Sequence, residues 1–180
     1  MKQDSLSKLV VAALFAALSC IATMVIQLRV TPTGGYVNLG DCIVLLCAWL
    51  LPPSYGMAAA GVGSMMADVI SGYAFYAPAT LVIKALMALA GGAIFRWCTR
   101  RSKRGSISLA GCILSAVAAE AIMACGYCAY DFWVLGLGPS ALLGLIGSTV
   151  QAACGGVSAT VVYSLLRRSK ILSQQLDRLQ

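Results

Sequence analysis

Long apolar runs alternate with short polar or glycine-bearing stretches along nearly the whole chain. Read at the helical period, they predict six helices. The first covers about Lys8 to Leu28, long enough to span a bilayer. The second, Asp41 to Leu51, is stopped by Pro52-Pro53 and spans only if Val37 to Gly40 joins it. The third, Ser54 to Ile70, carries Gly56, Ala60, Gly61, Gly63, Ser64 and Ala67, a composition suited to close helix packing in lipid. The fourth starts at Pro78, a favoured first-turn position, and runs to about Trp97. The fifth covers Ser106 to Cys128 and the sixth Ser140 to Leu166. Three longer loops, Arg29 to Leu39, Ser71 to Ala77 and Ala129 to Pro139, then fall on one side of the bundle.

Composition turns this pattern into a membrane assignment. Of 180 residues, 60% are hydrophobic and 11% charged, against about 25% charged in an ordinary soluble domain. The expected fold class is an all-α integral membrane protein, a six-transmembrane-helix bundle. Residues 1–7 read as a leader, 8–166 as the bundle and 167–180 as a basic tail. The first apolar run is too long for a cleavable signal core. The net charge of +7 comes from clusters beside apolar runs: Lys2 and Lys8, then Arg96, Arg100, Arg101, Lys103 and Arg104, then Arg167, Arg168, Lys170 and Arg178. Only Arg29 falls among the opposite loops, so the positive-inside rule predicts cytoplasmic N and C termini. The same clustering points to the lipid bilayer as partner and away from nucleic acid.

Eight cysteines and no histidine are present. Cys125 and Cys128 form a CxxC, but nothing completes a zinc site, so no metal is expected and the cysteines read as small buried apolar residues. Neither GxSxG nor a phosphate-binding loop occurs, so no cofactor and no catalysis are expected.

Charges inside spans are costly and usually functional. Asp41, Asp68, Lys84 and Glu120 all fall in the outer half of the predicted helices. Lys84 is about 9 Å and Glu120 about 12 Å down at the helical rise, with Gln151 deeper on the sixth helix. A conduction path needs polar groups through the whole thickness, so a one-sided set describes a pocket instead. Lys84 and Glu120, similar in depth and opposite in charge, are expected to pair in the empty state, either as a ligand-responsive pair or as a fixed one that sets helix register. Tyr36, Tyr73, Phe75, Tyr76, Tyr127, Tyr130, Phe132 and Trp133 concentrate at the same level, beyond what an interfacial belt requires. On the first helix, Ala12/Ala16 and Ala13/Ala17 form two small-residue pairs suited to close helix approach, within the bundle or with a partner.

Two segments carry a family resemblance: Gly35-Tyr36-Val37-Asn38-Leu39-Gly40-Asp41, and Tyr76-Ala77-Pro78-Ala79-Thr80-Leu81-Val82-Ile83-Lys84-Ala85. Over about Lys8 to Leu166 the chain resembles substrate-binding S components of energy-coupling factor (ECF) vitamin transporters, in the riboflavin/hydroxymethylpyrimidine-like branch. Ala85 stands where that pattern usually has glycine. The resemblance implies a pocket near the outer face, a gating first loop, and docking of Ala12, Ala13, Ala16 and Ala17 on a transmembrane T protein coupled to two cytoplasmic ATPases. It also implies a multi-pass location in the bacterial plasma membrane. The candidate substrate-binding set is Tyr36, Asn38, Asp41, Tyr73, Tyr76, Lys84, Glu120, Tyr127 and Gln151. The implied ligand is a small water-soluble vitamin or precursor: hydroxymethylpyrimidine or a pyridoxine-like ring first, with riboflavin and pantothenate also in the family's range. Two other readings of the residues stay open, a self-sufficient secondary permease and a non-transporting structural subunit.

Overall fold

The computed structural model describes residues 2–25, 27–28, 37–101 and 109–169. Among them are six α-helices: α1 (Lys2–Val25), α2 (Gly40–Leu50), α3 (Pro53–Ile70), α4 (Ala77–Arg101), α5 (Leu109–Trp133) and α6 (Gly144–Arg168). A two-residue antiparallel ladder follows α1, pairing β1 (Gln27–Leu28) with β2 (Val37–Asn38) in the register Gln27↔Asn38. A 3-10 segment, Gly138–Leu143, leads into α6.

The helix count matches the apolar pattern, and the boundaries differ in ways that matter. α1 starts at Lys2, within the expected leader, and Arg167 and Arg168 complete α6 where the basic tail was expected. The expected loop from Ala129 to Pro139 is wrong at both ends. α5 continues to Trp133, and residues Gly138 to Leu143 are helical. The extension follows from contacts distant in sequence: the Tyr130 hydroxyl donates to the Phe75 carbonyl at 2.5 Å, and Asp131 accepts from Tyr76. The helix then ends where Gly136 takes φ +69°, with Leu135 N–H reaching back to the Tyr130 carbonyl at 3.1 Å. α3 ends likewise at Gly72, φ +84°, with Tyr73 N–H on the Asp68 carbonyl.

α2 is the hub. α1, α3, α4 and α6 all pack on it, and the outer helices follow one another as α1–α3–α4–α5–α6. Val44, Leu45, Cys47, Trp49 and Leu50 are sealed from solvent. α2 is therefore a core helix, too short at 11 residues to cross a bilayer alone. Four helical stretches are long and apolar enough to cross: Ser5–Val25, Ala77–Arg101, Leu109–Trp133 and Gly138–Arg168. α3 trades hydropathy for small residues and close approach. A Cβ at Gly63 would lie 2.3 Å from the Ala16 carbonyl oxygen, so α1 and α3 touch through backbone, beside a Ser19–Ser64 hydroxyl contact of 3.1 Å.

Outward, α1, α5 and α6 present Leu9, Leu14, Leu18, Ile113, Val117, Ile146, Val157 and Leu165, all exposed. Such a continuous apolar surface fits lipid contact and a multi-pass membrane protein.

A polar cavity at one end of the bundle

Helix direction sorts the molecule into two ends. At one end lie the start of α1 and the last turns of α4 and α6, carrying Arg100, Arg101, Arg167 and Arg168. At the other lie the β1–β2 ladder, the start of α2, the end of α3 and the start of α4. A cavity opens at this second end, with about 710 Å³ of atom-free space counting its mouth.

Three helical stripes build its walls. On the α4 side, Tyr76, Thr80 and Lys84 recur every four residues and face inward. On α5, Met123, Tyr127 and Asp131 do the same, and on α6, Gly144, Gly147, Ser148 and Gln151. Thr23, Asn38, Ser64, Asp68, Cys128 and Ala141 complete the lining.

The polar groups form connected chains. The Lys84 ammonium pairs with Asp41, the second residue of α2, and both are buried. Gln151 Nε2 donates to the other Asp41 oxygen at 2.6 Å, and Gln151 Oε1 accepts from the backbone N–H of Asn38 at 3.0 Å. Asn38 Oδ1 in turn accepts from Gly40 N–H at 2.7 Å, which orders the start of α2. One chain of bonds thus ties β2 to the cavity floor through α6, α2 and α4. A second runs from Thr80, which donates to Asp68 and lies 2.9 Å from the Tyr127 hydroxyl. With the Thr80 proton committed to Asp68, Tyr127 is the donor of that pair. In a third, Tyr76 donates to Asp131 at 2.6 Å. Burial, helped by the Asp131 carboxylate, pushes the Tyr76 phenol above its ordinary range and keeps it a donor.

The expected Lys84–Glu120 pair is not what forms, since Lys84 binds Asp41. Because α5 runs on to Trp133, Glu120 falls near its middle and not in the outer half. There it faces Gly155 of α6, where a Cβ would meet Asp41 Cβ at 2.8 Å and Glu120 Oε1 at 3.1 Å. Both Glu120 oxygens are buried without a hydrogen-bond partner among the described residues.

Of the remaining sequence candidates, Asn38, Tyr76, Lys84, Tyr127 and Gln151 line the cavity, and Asp41 sits directly behind Lys84 and Gln151. Tyr73 is outside the lining and packs on Phe75 at 6.1 Å. Tyr36 lies outside the described residues, as does most of the first loop. The aromatic group divides: Tyr76 stacks near Phe75 and Tyr130, while Trp133 points away and is 78% exposed. The alanine set divides too. Ala12 is buried and Ala16 packs on Gly63, which leaves Ala13 and Ala17 as the exposed pair.

Asp131, Thr80 and Thr23 went unassigned in the sequence. Thr80 was signalled by its four-residue spacing from Lys84, and Asp131 by the same spacing from Tyr127 once α5 is long enough. Thr23 carried no signal, because its place depends on how α1 meets Gly40.

The opposite end is closed. Trp49, Phe95 and Tyr163 meet at centroid distances of 5.3–5.6 Å, and Trp49 Nε1 donates to Ser115 at 2.8 Å. This aromatic plug lies below the polar groups, so among the described residues the cavity reads as a recess open at one end.

Comparison with known proteins agrees with this architecture. The family model for the ECF-type riboflavin transporter S component matches residues 3–168. The chain belongs to that family. It is therefore a substrate-binding subunit of a vitamin transporter, in a family of transporter components and not of enzymes. An uncharacterized protein in a gap 3′ region from Pyrococcus woesei is 33% identical over 135 residues, covering 75% of this chain and 84% of the relative.

Proposed function

We propose that the chain captures a small, ring-bearing, water-soluble vitamin or vitamin precursor in the polar cavity and delivers it through separate energising subunits. The observation that carries this reading is the cavity at one end of the bundle, lined by the buried Asp68, Lys84, Asp131 and Gln151, above an aromatic plug. The arginines at the far end favour a cytoplasmic location for that end and both termini, with the cavity facing outward across the cell membrane. Within the vitamin class, Tyr76 and Tyr127 offer aromatic faces, and the Lys84–Asp41 pair and Gln151 offer donors and acceptors for a pyrimidine or pyridine ring. The name of the matched family favours riboflavin as a second reading.

The family resemblance implies delivery through a transmembrane T protein and two separate ATPases, and a sequence with no phosphate-binding loop of its own is compatible with that division. Ala13 and Ala17 offer an exposed, nearly flat strip of α1 for that docking. Tilting of the whole bundle would then carry the cavity to the other face.

The test is to purify the protein in detergent, identify co-purifying small molecules by mass spectrometry, and titrate each by calorimetry. A stoichiometric vitamin whose binding is lost in Gln151→Ala and Lys84→Met is the expected result. A consistently empty protein that binds no vitamin would overturn the reading in favour of a structural subunit. Uptake in a host without any ECF module, abolished by a protonophore, would instead establish a secondary permease.

A further inference from the structure

We infer that the cavity selects a ligand that presents an amino group, positively charged or neutral, and that Asp131 is the carboxylate that reads it. This rests on the vitamin-capture reading above and adds the chemical class of the captured molecule.

The charge arrangement carries the inference. Among the described residues, Lys84 is the one Lys or Arg in the cavity lining, and its ammonium is already paired with the fully buried Asp41. Among the described residues an anionic ligand therefore meets no uncommitted cation in the lining. Asp131 is the reverse case. It lines the cavity, is 5% exposed, and has the neutral Tyr76 hydroxyl on Oδ1. A carboxylate has about four acceptor positions, so one phenol leaves room for a ligand N–H. No described Lys or Arg forms an ion pair with it.

A second observation also points to a ligand. The Thr23 hydroxyl, on the cavity wall contributed by α1, is buried and has no hydrogen-bond partner among the described residues. Buried polar atoms are normally paired, and a group unpaired on a cavity wall marks where a polar ligand atom fits. Aromatic faces add to the same preference. The Tyr127 ring already has the Lys84 ammonium 5.7 Å from its centroid, and Tyr76 stands edge-on to it at 6.1 Å. Rings so placed attract a cationic heterocycle and repel an anionic one.

The experiment uses the full chain in nanodiscs and two matched ligand pairs, read by calorimetry. One pair is pyridoxamine against pyridoxic acid. The other is the hydroxymethyl aminopyrimidine of thiamine against the analogue with its amino group replaced by oxygen. Riboflavin and pantothenate serve as references.

The amine member of at least one pair is expected to bind about tenfold or more tighter than its counterpart, the range for a hydrogen bond to a charged group. Asp131→Asn is expected to bring that ratio to within about threefold, and Asp131→Glu to preserve part of it. Tyr76→Phe, which keeps the carboxylate but frees it, is the second variant should Asp131→Asn fail to fold, and it too must change the ratio. Equal or tighter binding of the counterparts, a ratio unmoved by these variants, or binding of riboflavin or pantothenate alone overturns the inference and leaves vitamin capture standing. Binding of none of these compounds overturns both.

Discussion

The two ends of this bundle are built from the same helices and obey opposite rules. At the arginine-bearing end, α2, α4 and α6 meet through Trp49, Phe95 and Tyr163, and the buried polar groups there are matched: Trp49 Nε1 donates to Ser115, which donates to the Cys112 carbonyl, and the Tyr163 hydroxyl accepts from Arg167. At the other end the same three helices contribute Asp41, Lys84 and Gln151, and the wall holds a Thr23 hydroxyl without a hydrogen-bond partner among the described residues. Packing is completed at one end and left incomplete at the other. A closed end gives the rigid base that holds the stripes of α4, α5 and α6 in register. Under the proposed function, the open end accepts the cost of a buried unpaired polar atom because a ligand completes it.

The comparison can be broken by substitution. Asp41→Ala is expected to have the largest effect, because it strands the Lys84 ammonium in the core. It should destabilise by about 3–5 kcal/mol and abolish ligand binding. Replacing both partners, Asp41→Leu with Lys84→Met, should recover much of the stability and none of the binding, as measured by denaturant titration beside calorimetry. Trp49→Ala should cost a similar amount, about 3–5 kcal/mol, through the lost plug. Ligand affinity in the molecules that remain folded should change little, and a large affinity loss would show that the two ends are not separable.

Smaller effects sharpen the contrast. Gly155→Val pushes methyl groups between Asp41 and Glu120 and should destabilise by about 1–3 kcal/mol with weakened binding. Ala13→Leu with Ala17→Leu lies on an exposed face and should alter stability by no more than about 0.5 kcal/mol. If that strip docks a T protein, the same pair leaves vitamin binding intact and abolishes uptake in cells, whereas unchanged uptake removes the strip from the docking surface.

Much of this molecule is legible in its residues. Six helices follow from apolar runs punctuated by Pro52-Pro53, Gly72 and Pro78, because helix formation in a bilayer depends on local composition and on satisfying the backbone within each segment. The membrane setting and the one-sided placement of Asp41, Asp68 and Lys84 follow from the same one-dimensional pattern. So does the inward stripe of α4, since Tyr76, Thr80 and Lys84 share one helical face.

What the pattern left open concerned meetings between helices. Depth and sign along the chain matched Lys84 with Glu120, and only the packing of α2 at the centre, with Asp41 at its start, gives the lysine to Asp41 instead. Asp131 reads as a loop residue until the Tyr76 and Phe75 contacts extend α5 beneath it. Ala12 and Ala13 are neighbours of identical chemistry, yet the contact of Gly63 with Ala16 turns one inward and the other outward. The sequence by itself determined how many helices form, where most of them start, and which stripes are polar. The rotation of each helix, its depth against its neighbours and the partner of each buried charge were decided by tertiary packing, because those depend on groups that approach from tens of residues away.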